Sequence, residues 1–219
     1  MVKYFENKTV FRFNWEQVAQ GYWRRYPNPE STHVLSEDIV DQRITDNKLF
    51  TKRILTKTNN APKWGERFIK TNKIKIVEES ICDPKEKTLT TYTRNIGYTS
   101  VMSVIEKVEY KVSDENENWT LAKRSVWIDS KMYGFSLAIQ KFGLERYKKN
   151  ILKMTNGFNF ILNAMFPNVL QQNANLASTM SSTNQNFAIN PDKLKEKAKK
   201  VTSDFATKSS KLLNVPNPS

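Results

Sequence analysis

Apolar and polar positions alternate along the chain up to about residue 128, and from residue 130 a helical period replaces the alternation. A first strand is predicted over residues 2–13, clearest at Val10-Phe11-Arg12-Phe13. Asn14 then has the character of an N-cap, with Gln17 three residues on as the reciprocal half of a capping box. Trp15, Val18, Ala19, Tyr22 and Tyr26 recur at helical spacing, which predicts a short helix packed on a sheet and stopped by Pro27. A hairpin is predicted next: residues 33–44, a turn over Thr45-Asp46-Asn47-Lys48, then residues 49–57. Four more strands follow over 74–81, 88–96, 101–112 and 119–128, separated by short turns. This spacing predicts an antiparallel meander.

Two of the strands break the pattern in an informative way. In 49–57, Leu49, Thr51, Arg53, Leu55 and Lys57 share one side while Phe50, Lys52, Ile54 and Thr56 share the other. Neither side is cleanly apolar, so this strand lines either solvent or a polar cavity. In 101–112, Met102, Val104, Val108, Tyr110 and Val112 form an apolar face interrupted only by Glu106.

The long helix, predicted over 130–165, carries two adjoining stripes. One, through 144, 147, 151, 154, 158, 161 and 165, stays apolar. The other begins as Phe135, Ile139 and Phe142 and then becomes Arg146, Asn150 and Lys153 before Gly157. Unpaired charges buried in a core cost several kcal/mol each, so these cations either emerge into water or meet an anion inside.

Between the elements lie two segments of special composition. In the turn over 25–35, Pro27 and Pro29 stiffen the chain between Arg25, placed in the last helical turn, and His33, placed at the head of the next strand. An Arg and a His held by a rigid turn suit an anion; the alternative is that Arg25 caps the helix C-terminus and His33 is a surface residue. Residues 59–72 combine Pro62, Gly65, Trp64, Phe68 and Ile69, which reads as a lid or membrane-dipping loop, or as a short helix tucked against the sheet.

Composition narrows the partners. Twelve Phe, eight Tyr and five Trp supply a core. Cys82 is the only cysteine and His33 the only histidine, which rules out an intrachain disulfide, a structural zinc and a Cys/His nucleophile pair. Net charge is +13; the tail after Pro167 holds seven Lys against three acids, or +4, leaving +9 in the remainder. Such a balance favours an anionic partner: nucleic acid, an anionic membrane surface or a phosphate-bearing ligand. No apolar run is long enough to span a bilayer as a helix, and the first residues have neither a secretory core nor transit-peptide composition. Residues 168–190 are uncharged and rich in Asn, Ser and Gln, as linkers are; 191–213 are Lys-rich, forming either disordered chain or an amphipathic helix on an anionic membrane. The expected organisation is a domain over 1–167 and a flexible tail over 168–219.

The strings Arg25-Tyr26-Pro27-Asn28-Pro29 with His33-Val34-Leu35, then Leu55-Thr56-Lys57, Asp83-Pro84 and Thr91-Tyr92-Thr93-Arg94-Asn95-Ile96, closely resemble the PRELI domain family over residues 1–167. The opening Met1-Val2-Lys3-Tyr4-Phe5 is similar to the PRELI branch itself. The resemblance implies an α+β, START-like helix-grip fold, a curved antiparallel sheet wrapped around a long C-terminal helix with a lipid pocket between them. It implies a phospholipid transfer protein that carries phosphatidic acid between mitochondrial membranes, across the intermembrane space, in support of cardiolipin synthesis. Phosphatidic acid is then the cargo, with no cofactor, no metal and no catalysed reaction. The implied partners are anionic mitochondrial membranes and a small helical twin-CX9C protein that forms a heterodimer with the domain.

Carried over residue by residue, the family's headgroup-binding set falls on Arg25, His33, Lys57, Arg146, Asn150 and Lys153. Arg146 stands where a distant member has Lys, which keeps the charge but changes the donor geometry. The family's lid or membrane contact falls on Pro62, Lys63, Trp64, Phe68 and Ile69. A phosphomonoester head suits several cationic donors better than a zwitterionic one does. On this reading Arg25→Glu abolishes transfer and leaves the fold intact. The rival within the family is a phosphatidylserine carrier, a branch that tends to lack the His before Val-Leu. A nucleic-acid binder would need aromatics displayed on a basic sheet face, which the expected helix covers. A membrane-associated adaptor without transfer activity is the remaining alternative.

Overall fold

The capping box forms as expected in the computed structural model, which describes residues 2–58, 65 and 71–167. Asn14 Oδ1 accepts from the Gln17 amide at 2.9 Å and Gln17 Oε1 accepts from the Asn14 amide at 3.0 Å, opening helix α1 (Trp15–Tyr22). The apolar face of α1 is buried at Trp15, Val18, Ala19 and Tyr22. The helix ends earlier than Pro27 predicts, with Trp23 as C-cap. The reason lies in Asn28, whose Nδ2 donates to the Arg25 carbonyl at 2.6 Å while its Oδ1 caps the 3₁₀ turn Pro29–Ser31 through the Glu30 amide at 3.0 Å. Arg25 therefore sits in a side-chain-braced turn and not in a helical one.

Seven strands form one antiparallel sheet in the order β1-β7-β6-β5-β4-β3-β2: β1 (Lys3–Phe11), β2 (Val34–Thr45), β3 (Lys48–Thr58), β4 (Lys73–Asp83), β5 (Thr88–Asn95), β6 (Ser103–Val112) and β7 (Thr120–Asp129). The β2–β3 turn is a two-residue one, with Asp46 and Asn47 both left-handed (φ 50° and 59°), the geometry whose twist matches a hairpin. His33 lies one residue outside β2, yet its carbonyl still accepts from the Thr58 amide at 2.8 Å, so the ladder extends to it.

Helix α2 (Ser136–Met165) begins six residues later than the predicted start at 130. Gly134 is left-handed (φ 78°), which interrupts a helix, and Ser136 Oγ donates back to the Ser130 carbonyl at 2.8 Å. Near its C-terminal end α2 packs Phe158 and Leu162 into the core with α1, Phe11, Tyr110 and Leu89. Burying side chains such as Phe11 and Leu162 contributes about 1.5–3 kcal/mol each. Gly157 permits close approach to the Pro turn: a Cβ there would lie 2.3 Å from Asn28 Oδ1. At the other end Ile139 is buried, and a Cβ on Gly143 would lie 2.7 Å from Met102 Sδ. Between these two anchors, residues 146–154 bridge a cavity. No helix among the described residues is long and apolar enough to cross a membrane. The positions assigned to the lid, Pro62, Lys63, Trp64, Phe68 and Ile69, and the tail 168–219 lie outside the described residues.

Candidate functional site

The cavity between α2 and the sheet has a volume of about 460 Å³, within the range of small-molecule sites. Three separate pieces of chain bring its polar residues together: His33 from the turn before β2, Lys57 from the end of β3, and Arg146, Asn150 and Lys153 from successive turns of α2. An apolar part of the wall comes from Ile74 and Ile76 of β4, Val104 of β6, Met102 before it, and Ile139 and Phe142 of α2, while Glu30, Arg94, Asn95, Glu106 and Tyr147 add further polar groups. Each α2 residue in the polar row is three or four positions from the next, so the stripe faces one way by helical geometry alone.

The electrostatics match this clustering. Burial lowers the His33 imidazole below its ordinary value, and the positive charges of Lys57, Arg146 and Lys153 lower it further. Burial also lowers Arg146. Among the described residues, Lys57 and Lys153 enter no ion pair. Lys57 Nζ instead lies 5.9 Å from the centre of the Tyr26 ring, at the outer limit of a cation–π contact.

Arg25 is placed differently from the other five. It lines a smaller chamber of about 60 Å³ behind the main cavity, and the two share Lys57, Thr93, Glu106 and Met154. There Arg25 pairs with Glu78 of β4, to which Arg53 also binds. Glu78 further accepts from the Tyr22 hydroxyl at 2.6 Å and from Arg53 Nε at 3.0 Å, while Arg53 Nη1 meets Glu37 at 2.5 Å. The guanidinium carbon of Arg25 lies 4.3 Å from the centre of the Tyr22 ring, and that of Arg53 lies 4.8 Å from it. Burial alone would raise the Glu78 carboxyl, but Arg25 and Arg53 draw it down to about 2. Arg25 in the chamber wall and Arg53 beside it are thus two arginines held by counter-ions of the fold.

Sequence reasoning missed Glu78 and Arg124. Glu106 is visible in the sequence as the one charge on an apolar strand face, and it proves to be held from three sides. The Tyr147 hydroxyl donates to it, Arg124 Nη1 lies 3.8 Å away and Thr93 Oγ1 donates at 3.4 Å. Burial and the neighbouring Glu106 carboxylate both raise the Tyr147 phenol, which keeps it a donor. No group of three potential metal ligands occurs among the described residues.

A curved sheet closed over by a long C-terminal helix, with a cavity between them, defines the START-like helix-grip class. Two solved structures share the fold: a protein from Thermus thermophilus (TM-score 0.53, 12% identity, 74% of this chain and 99% of that one) and the Zhui aromatase/cyclase from Streptomyces sp. R1128 (TM-score 0.50, 10% identity, 74% and 94%). Within that class the chain belongs to the PRELI-like family, whose model matches residues 16–168. It is 47% identical over 169 residues to PRELI domain-containing protein 1, mitochondrial, of Gallus gallus, covering 75% of this chain and 79% of that one. The Homo sapiens protein of the same name is 46% identical over 166 residues (74% and 76%), and Protein UPS1, mitochondrial, of Saccharomyces cerevisiae is 27% identical over 164 (74% and 94%).

Proposed function

We propose that this chain is a mitochondrial lipid carrier that takes phosphatidic acid from one membrane and delivers it to another through the intermembrane space, supplying cardiolipin synthesis. The observation that carries the reading is the convergence of His33, Lys57, Arg146, Asn150 and Lys153 on one cavity that also has an apolar wall of Ile74, Ile76, Val104, Ile139 and Phe142. Membership of the PRELI-like family supports a role in lipid transfer, and the relatives named mitochondrial support the compartment.

The chemistry follows from the two halves of the cavity. A phosphomonoester carries between one and two negative charges near neutral pH, and cations that otherwise repel one another gain most from it. Their hydrogen bonds replace the hydration that the headgroup loses on leaving the bilayer. The aliphatic wall covers the start of the acyl chains. Arg25 acts from behind: its charge is held by Glu78, so it braces the chamber adjoining the headgroup. A small helical twin-CX9C protein is the partner, and the activity is carriage without covalent change to the lipid. The test is transfer between liposomes of matched charge, with and without that partner. Phosphatidic acid is expected to move far faster than phosphatidylcholine; equal rates would overturn headgroup selection.

A further inference from the structure

The connections at the two ends of the sheet differ in their acidic residues. At the end away from the cavity, the turns at 46–47, 84–87 and 113–119 contain Asp46, Glu86, Asp114, Glu115 and Glu117. At the cavity end, the connections at 96–102 and 130–135 contain no acid at all. These two connections lie together: the Lys131 amide donates to the Ser100 carbonyl at 3.0 Å. Both are also held stiffly. Asn95 binds the Gly97 and Met102 carbonyls at 2.8 and 2.9 Å and the Val104 amide at 2.8 Å. Gln140 joins Asp129 and Ser136, each at 3.1 Å.

On this braced end Tyr133 is wholly exposed (100%), Leu137 is 68% exposed and Ile96 is 51% exposed. Lys131 and Lys141 are exposed beside them, with Lys141 one helical turn from Leu137 on the same face. Single exposed apolar residues occur elsewhere too, as at Ile44 (75%) beside Asp46. What sets the two connections at 96–102 and 130–135 apart is the combination of apolar tips, nearby lysines and no acid within them, next to loop residues Tyr98, Val101 and Met102 that line the cavity itself.

We infer that the turn over 130–137, with Ile96, is a fixed membrane-contact surface: Tyr133 and Leu137 enter the interface of an anionic bilayer while Lys131 and Lys141 meet its headgroups. Tyr suits that depth because its ring is apolar and its hydroxyl remains wet. Lysines near an anionic leaflet are attracted within a Debye length. This contact rests on the carrier reading, for it sets the cavity mouth against the membrane from which a lipid is drawn.

The test uses the full chain with Tyr133→Cys, labelled with an environment-sensitive dye; the native Cys82 is buried. The probe surface is phosphatidylcholine vesicles containing phosphatidylglycerol and no phosphatidic acid. The expected result is a blue shift at position 133 and none for the same dye on Asn116→Cys at the opposite end. Adsorption through the Lys-rich tail alone leaves the dye in water, so an unshifted spectrum, whether or not the protein floats with the vesicles, overturns the inference. In parallel, Tyr133→Ser with Leu137→Ser is expected to slow phosphatidic acid transfer about tenfold, in line with two apolar side chains lost from the interface, with an unchanged melting midpoint. Absence of lipid transfer by a protein whose dye still shifts would instead remove the carrier reading and leave the membrane contact standing.

Discussion

Arg25 and Arg53 on one side and Lys57 and Lys153 on the other differ in whether a carboxylate of the described residues pairs with them. Arg25 and Arg53 are tied to Glu78, and Arg53 also to Glu37, so the fold supplies its own counter-charge. At the cavity wall burial depresses the His33 imidazole, and the nearby charges of Lys57, Arg146 and Lys153 depress it further. Arg25 and Arg53, each meeting a built-in carboxylate, serve the structure, whereas Lys57 and Lys153 enter no ion pair among the described residues and are the cations we propose for the headgroup. The same sequence property, a basic residue near the long helix or the Pro turn, thus covers two physical roles.

The strongest way to break this contrast is to remove the inner counter-ion. Glu78→Ala leaves two buried guanidinium groups without their shared partner, and urea denaturation is expected to show a loss of about 3–5 kcal/mol. The pH dependence has a definite sign. The folded Glu78 pKa is depressed to about 2 from 4.5. Its contribution is therefore fully present above the ordinary carboxylate range and is lost as pH falls from there towards 2, on the order of 3 kcal/mol. An acid-unfolding profile that Glu78→Gln leaves unaltered would show that the cluster is not structural. Arg25→Glu is also expected to lower stability, because it sets a second carboxylate against Glu78; this differs from the purely functional loss that the sequence predicts.

Smaller effects on folding and larger ones on cargo are expected at the cavity wall. Lys153 is exposed to solvent in the free protein, so Lys153→Glu should leave the melting midpoint nearly unchanged. Losing a charge-assisted contact to phosphate costs about 1.5–3 kcal/mol, or roughly one to two decades in transfer rate for phosphatidic acid. Normal transfer by a stable Lys153→Glu protein would place the headgroup elsewhere.

The smallest effect sharpens the contrast through His33. Burial first, and then its cationic neighbours, disfavour the imidazolium. A bound phosphate reverses that preference, so binding takes up a proton and affinity rises as pH falls through the histidine range. Nuclear magnetic resonance of His33 should show its pKa moving up on addition of a short-chain phosphatidic acid, and His33→Gln should flatten the pH dependence of binding by a few-fold. An imidazole that titrates identically with and without the lipid would separate His33 from the site.

Much of this is legible in the chain. Asn14 and Gln17 announce α1, alternation places every strand to within a few residues, and the turn from Phe142 to Arg146 and Lys153 along one stripe marks the cavity wall. The failures have local causes. Pro27 draws the predicted end of α1 too far because the side-chain brace from Asn28 has no periodic signal. The predicted start of α2 falls six residues early because Ser130 has cap character while the φ of Gly134 is invisible in a sequence. Glu78 cannot be read as the partner of Arg25 and Arg53 because they meet only when β3, β4 and the Pro turn are assembled. Charge on both faces of β3 is the available sign that its inner side is polar.

The pairing of Lys3 with Ile128 also has a consequence for how the molecule comes into being. Strands β2 to β6 are joined to their sheet neighbours through short turns or the single connection over 59–72, whereas β1 must wait for a strand more than a hundred residues later. Closing so long a loop is entropically unfavourable and slow until α1 and α2 reward it by covering the same apolar surface. In a chain delivered N-terminus first, the hairpins can form while β1 remains an unmatched edge with Phe11, buried in the finished fold, in water. Pulsed hydrogen exchange should find the β1–β7 amides protected last. The period before they close is when this protein most needs a chaperone.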